Sequence, residues 1–177
     1  MDVQRKIEKY LKEIANGNVE ALEQLYNETR SYVFRFAFSI MKNKDDAEDI
    51  MQDTYVNINR YADKYSANQT PMAWIMTITK NLCMNRLKKQ NRYEMTDIAD
   101  VEESLVGDNE VAFNNLLLKE IIESLNDEER QIFILHSIED MKFKEISKVL
   151  DMKLSTVLSK YNRAIKKIRE KYVEMVV

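Results

Sequence analysis

Phe143-Lys-Glu-Ile-Ser-Lys-Val-Leu-Asp-Met-Lys-Leu-Ser-Thr-Val-Leu-Ser-Lys-Tyr-Asn-Arg-Ala-Ile-Lys-Lys-Ile-Arg169 reads as two helices joined by a tight turn. Phe143, Ile146, Val149 and Leu150 recur at helical spacing and give the first helix one apolar face. The pattern breaks at Asp151-Met152-Lys153, and Ser155 or Thr156 is expected to cap a second helix. That helix is expected to bury Val157, Tyr161, Ala164 or Ile165, and Ile168. A short helix, a break and a second helix make a helix-turn-helix, whose second helix enters a major groove. Small Ser147 lets the helices approach, and Asp151 stands where the turn needs a left-handed residue, a conformation that Asp tolerates.

The second helix is also basic. From Lys153 to Lys171 there are seven bases and one acid, a local net charge of +6. A charge run is often just a solvated face. Behind this turn, it reads as a DNA-binding surface.

The rest of the chain organises around that stretch. With two Gly and one Pro in 177 residues, there are too few turn formers for an all-β protein. With 45% apolar and 32% charged residues, the expected fold is all-α. No apolar run is long enough to span a bilayer, and Met-Asp-Val-Gln-Arg-Lys lacks the apolar core of a signal peptide. One cysteine, Cys83, excludes an internal disulfide and fits a reducing, cytoplasmic compartment.

Net charge is −3, unusual for a protein that binds DNA unaided, since phosphate neutralisation supplies non-specific affinity. Its distribution is uneven. Residues 1–92 carry +3, residues 93–113 hold seven acids and no base, and residues 114–177 carry +1. The expectation is two small helical domains, 1–92 and 114–177, joined by an acidic linker at 93–113.

In the first domain, Val3, Ile7, Leu11 and Ile14 mark a helix that breaks at Asn16-Gly17-Asn18. A second runs to about Met41, and Lys42-Asn43-Lys44 breaks the pattern again. The next helix is expected to bury Ala47, Ile50, Met51, Thr54 and Ile58. Asp45, Asp46, Glu48 and Asp49 crowd its first turns, where the helix dipole favours acids. Glu48, Asp49, Gln52 and Asp53 form a polar patch suited to a basic partner, whereas a metal site is not expected without a nearby histidine. Thr70 and Pro71 read as N-cap and first residue of a helix burying Trp74, Ile75, Ile78 and Leu82. Its polar stripe is Asn81, Asn85, Lys88 and Arg92, and five bases with no acid fall between Lys80 and Arg92. With Tyr61, Tyr65, Ser66 and Asn68 in the preceding loop, this region offers single-stranded DNA both aromatics and amides.

Beyond the linker, Phe113, Leu117, Ile121 and Leu125 suggest a helix. Asn126-Asp-Glu-Glu129 resembles a capping box opening the next one, with Ile132, Phe133 and His136. His136 has no catalytic constellation around it and reads as structural or partner-facing. No phosphate loop, cysteine pair or paired histidines occur, so neither enzyme activity nor a cofactor is expected.

These residues together resemble the extracytoplasmic-function (ECF) sigma factors of bacterial RNA polymerase. Ala21-x-x-x-Leu25-Tyr26, Asp46-Ala-Glu-Asp-Ile-Met-Gln-Asp53 and Ala73-Trp-Ile-Met-Thr-Ile-Thr-Lys-Asn81 are similar to segments of that family's first domain. Leu125-Asn-Asp-Glu-Glu-Arg130, Phe143-Lys-Glu-Ile146, Ser155-Thr-Val157 and Asn162-Arg-Ala164 are similar to its second. The resemblance implies promoter-specific initiation, with Asp46, Glu48, Asp49, Gln52 and Asp53 docking on the polymerase core. It implies reading and melting of the −10 element by Tyr61, Tyr65, Ser66, Asn68, Lys80, Asn81, Asn85 and Lys88. It implies duplex −35 recognition by Lys153, Ser155, Thr156, Ser159, Lys160 and Arg163, and an anti-sigma protein as a further partner. The acidic linker would thread toward the active centre and RNA exit path; 21 extended residues reach roughly 70 Å. The chain departs from the family pattern at Asp151, usually Gly, at Leu158, usually basic, and at Asn85, usually Asp. A free-standing helix-turn-helix regulator and a helical adaptor with merely solvated basic faces are the alternative readings.

Overall fold

The computed structural model describes residues 3–66, 68–93 and 124–176, and every regular element among them is helical. The chain divides into two compact units, Met1–Ser104 and Leu105–Val177. The acidic segment beyond Tyr93, and the expected helix through Phe113, Leu117 and Ile121, lie outside the described residues.

The first unit contains α1 (Val3–Ala15), α2 (Val19–Met41), α3 (Lys44–Tyr61), a 3-10 turn (Ala62–Lys64) and α4 (Pro71–Tyr93). Local chemistry sets the boundaries. The Asn18 side chain accepts from the Ala21 amide to start α2, and Asn43 accepts from Asp46 to start α3. Lys42, at φ 58°, takes the left-handed position that ends α2. Ile7, Leu11, Leu25, Val33, Phe36, Ile50 and Ile58 fill the core. Thr29, Ser39, Thr54 and Thr79 are buried there too, and each hydroxyl donates to a carbonyl of its own helix three or four residues back.

Helix α4 departs from expectation. Ile75 and Trp74 are buried as anticipated, but Ile78 and Leu82 are half-buried, while Met72, Met76, Thr79 and Cys83 line the core. The cause is its surroundings: α4 packs against α1, α2 and α3, so its first turns are enclosed on several sides. Met51 on α3 is likewise half-buried, and Tyr55 occupies the core instead, its hydroxyl 2.8 Å from Thr29 Oγ1. Thr70 holds the N-cap position, its carbonyl accepting from the Trp74 amide, but its hydroxyl is buried without a partner. The first turn is capped instead from α1, where Gln4 Oε1 accepts from the Met72 amide at 3.3 Å.

The second unit contains α5 (Asp127–Phe133), which continues as a π-helical turn (Ile134–Ile138), then α6 (Phe143–Val149) and α7 (Leu154–Val176). The Asn126–Glu129 capping box forms, with the Glu129 amide donating to Asn126 Oδ1 at 2.9 Å. Ile132, Leu135, Ile146, Val157 and Ala164 are its apolar centre.

Candidate functional site

Three surfaces carry the residues singled out from sequence. The first is the start of α3. Asp49, Gln52 and Asp53 are exposed and Glu48 is half-exposed, so four of the five acidic-patch residues face water. Asp46 does not stand free with them; its side chain is 18% exposed. Arg86 of α4 donates to Asp46 Oδ1 from Nη2 at 2.6 Å and from Nε at 3.1 Å, and Gln90 donates to Oδ2 at 2.9 Å. Arg86 Nη2 also reaches Asp49 Oδ2 at 3.0 Å. The hydrogen bond to Asp46 holds the Arg86 pKa above its ordinary value against desolvation, and Asp49 adds to it. A base from α4 therefore braces the acidic helix from behind. Sequence reading missed this brace, because its partners are 40 residues apart and no local spacing marks them.

The second surface runs from the end of α3 along α4. Tyr61 closes α3, with Lys64 Nζ 4.6 Å from its ring centre. Tyr65 packs edge-on against Trp74 with ring centres 5.7 Å apart, and its hydroxyl donates to the Gln69 carbonyl at 3.2 Å. Burial, more than the Glu8 carboxylate, pushes the Tyr65 phenol up. Ser66 and Asn68 are exposed beside it. Along α4, Asn81, Asn85 and Lys88 are exposed, whereas Lys80 is half-buried. At 1.5 Å per residue, the stripe from Asn81 to Lys88 spans about 10 Å. Tyr65 stands by the helix start, and Tyr61 ends the helix before it. The loop and stripe belong to adjacent segments of one unit.

The third surface is the helix-turn-helix. Asp151 adopts φ 55°, the left-handed conformation expected of it. Its amide donates to the Lys148 carbonyl at 3.3 Å, and the Met152 amide donates to Ser147 at 2.9 Å, the pair of bonds of a Schellman turn. The second helix starts earlier than anticipated. Leu154 is its first residue, and the Lys153 carbonyl accepts from the Thr156 and Val157 amides, so neither Ser155 nor Thr156 is the cap. The left-handed turn closes at Asp151, which leaves Met152 and Lys153 to lead directly into α7. Ser147 turns its hydroxyl onto the Lys144 carbonyl of its own helix.

Lys153, just before α7, and Ser155, Ser159 and Arg163 on it are exposed, and Thr156 is half-exposed. Lys160 is drawn aside, 18% exposed, onto Glu128. Beneath the helix lies Glu129, 1% exposed. Its carboxylate accepts from Lys167 Nζ at 2.7 Å and from the Asn126 amide at 3.3 Å, with Arg163 Nε at 4.0 Å. Desolvation pushes this carboxyl up, but Lys167, the Asn126 amide and Arg163 outweigh it, leaving the pKa below the usual range. His136 is structural: Nδ1 lies 2.8 Å from the Met141 carbonyl, and the ring stacks on Phe143 and meets Tyr161 edge-on. The cluster joins the π turn to both helices of the motif.

Among the described residues no group of three or more metal-ligating side chains occurs, and no helix is long and apolar enough to cross a membrane.

Comparison with known proteins identifies the family. Residues 25–93 match Sigma-70 region 2 and residues 115–168 match Sigma-70, region 4, more than half of the chain together. The chain is 26% identical to the ECF RNA polymerase sigma factor SigE of Mycolicibacterium smegmatis, covering 88% of this chain and 64% of that one. It is 22% identical to the ECF RNA polymerase sigma factor SigW of Bacillus subtilis, covering 93% and 95%. In fold it is similar to the sigma factor RpoE in complex with the anti-sigma factor NepR from Bartonella quintana, with a TM-score of 0.75, 21% identity, and 87% and 98% coverage. It is also similar to CnrH in complex with the cytosolic domain of CnrY, with a TM-score of 0.66, 20% identity, and 93% and 96% coverage. The braced acidic helix and the helix-turn-helix thus sit within the two matched regions, and the chain belongs to the ECF sigma factors, the regulatory subunits that direct RNA polymerase to promoters.

Proposed function

We propose that the two units divide the work of initiation, residues 1–92 holding polymerase and the −10 element, and residues 114–177 holding the −35 element, with 93–113 between them. Glu48, Asp49, Gln52 and Asp53 dock the chain on the polymerase core, and Asp46 positions that helix through Arg86. Tyr61, Tyr65, Ser66 and Asn68, with Lys80, Asn81, Asn85 and Lys88, hold the melted −10 strand. Lys153, Ser155, Thr156, Ser159 and Arg163 read the −35 duplex. Lys160 joins them by leaving Glu128. The observation that carries this reading is the Schellman-turned motif, which presents exposed hydroxyls and bases on one helix.

A net charge of −3 supports dependence on polymerase. Each small basic face binds DNA weakly alone and gains from the effective concentration that a shared core supplies. The chain has no catalytic role of its own and acts in the cytoplasm. Since RpoE and CnrH were solved with protein partners, an anti-sigma protein is proposed to hold this chain when it is inactive.

The test is run-off transcription by bacterial core polymerase with and without the chain on promoters enriched by the holoenzyme. The reading predicts chain-dependent transcripts that Arg163→Glu weakens only where a −35 element is present. Duplex binding by the chain alone, with no transcripts on adding core, contradicts it and favours a free-standing regulator.

A further inference from the structure

Leu154 and Leu158 are 43% and 39% exposed, large apolar side chains left facing water one turn apart. A single exposed leucine is ordinary. These two occupy the first turn and a half of α7, the part of a recognition helix that meets base edges. Ser155 and Ser159 form the adjoining exposed stripe. With 3.6 residues per turn, Leu158 stands about 60° round the helix from Ser155. Exposed Lys153, Arg163 and Lys166 lie along the same helix and its entry, complementary to phosphates on either side of a groove. A lysine or arginine at 158 would bring a charge; a leucine offers apolar contact alone. The apolar group that the major groove offers is the C5 methyl of thymine.

We propose that Leu158, with Leu154 beside it, reads a thymine methyl in the −35 element. This rests on the assignment of α7 to that duplex. Sequence discrimination then occupies a position that carries no charge for the backbone, and the neighbouring serines contribute hydrogen bonds to the same or adjacent base pairs.

Holoenzyme assembled from core polymerase and the full chain is used to select fragments from a pool randomised across the −35 duplex. Each thymine of the selected element is then replaced by deoxyuridine, which removes the methyl and keeps the pairing edge. At one or two positions the substitution is expected to weaken binding about four-fold, the value of one buried methyl. Leu158→Ala holoenzyme is expected to bind the thymine and uracil fragments alike at one of those positions. The proposal is overturned if the selected element lacks thymine, or if uracil binds as well as thymine throughout. It is also overturned if the methyl effect persists at every position in Leu158→Ala. Scrambling the −35 element separates the two levels. Lost affinity on scrambling, with no methyl effect, leaves the α7 assignment standing and sinks the leucine reading; no loss on scrambling sinks the assignment itself.

Discussion

Asp46 in the first unit and Glu129 in the second do one job with the charges exchanged. Asp46 belongs to an acidic helix and is held by a base from α4; Glu129 lies under a basic helix and holds two of its cations. Each ion pair relieves like-charge repulsion on a helix that carries an excess of one charge. They differ in depth. Asp46 keeps 18% of its side chain in water, whereas Glu129 keeps 2% and is also committed to its own helix cap. A rim contact adjusts a surface, and a sealed one is part of the fold.

That difference ranks the expected effects. Glu129→Ala loses the cap bond and the Lys167 pair together, and should destabilise the second unit by about 2–3 kcal/mol. Urea denaturation followed by circular dichroism measures it. Fluorescence of Trp74, the only tryptophan and a residue of the first unit, should not shift with it. A matching fluorescence shift would break the comparison. Asp46→Ala, which leaves Arg86 its bond to Asp49 and access to water, should cost about 1 kcal/mol and should move the Trp74 signal.

Acid sharpens the contrast. The folded Glu129 carboxyl lies below its ordinary value of 4.5. Its contribution is therefore complete above that value and is lost as pH falls through the lower, folded one. Wild-type second-unit stability should drop in that window more steeply than that of Glu129→Gln, in parallel acid titrations. Equal slopes would contradict the assignment. The smallest effect belongs to the turn between α6 and α7: Asp151→Gly removes a side chain from a φ of 55° and should stabilise by about 0.5–1 kcal/mol in the same denaturation assay.

Much of this was legible in the sequence because it is local. The ends of α1 and α2, the start of α3, the Asn126–Glu129 box and the left-handed Asp151 depend on residues within one or two turns, whereas Tyr61, expected in the loop, is the last residue of α3. The exposed residues of the acidic patch, the Asn81–Lys88 stripe and the Ser155–Ser159 face follow from helical period. What failed was tertiary. Helical period points to Ile78 and Leu82 as core, but Met76 and Thr79 are the buried residues, because α4 is enclosed by three helices and one periodic stripe cannot describe that. Thr70 looked like a side-chain cap, yet Gln4, 68 residues away, does that work. Lys160 reads as a free base in sequence, yet it pairs with Glu128, 32 residues away.

The most direct measurement is gel filtration of bacterial core polymerase with the wild-type chain and with the double substitution Glu48→Lys, Asp49→Lys. Asp46 and Gln90 are unchanged, but Asp49→Lys removes the Arg86–Asp49 bond and sets a lysine beside Arg86, so Trp74 fluorescence must first show that the double variant keeps the fold of the first unit. The account predicts that wild type co-elutes with core and the double variant does not. Co-elution of both would contradict the claim that the braced acidic face of α3 is where polymerase binds.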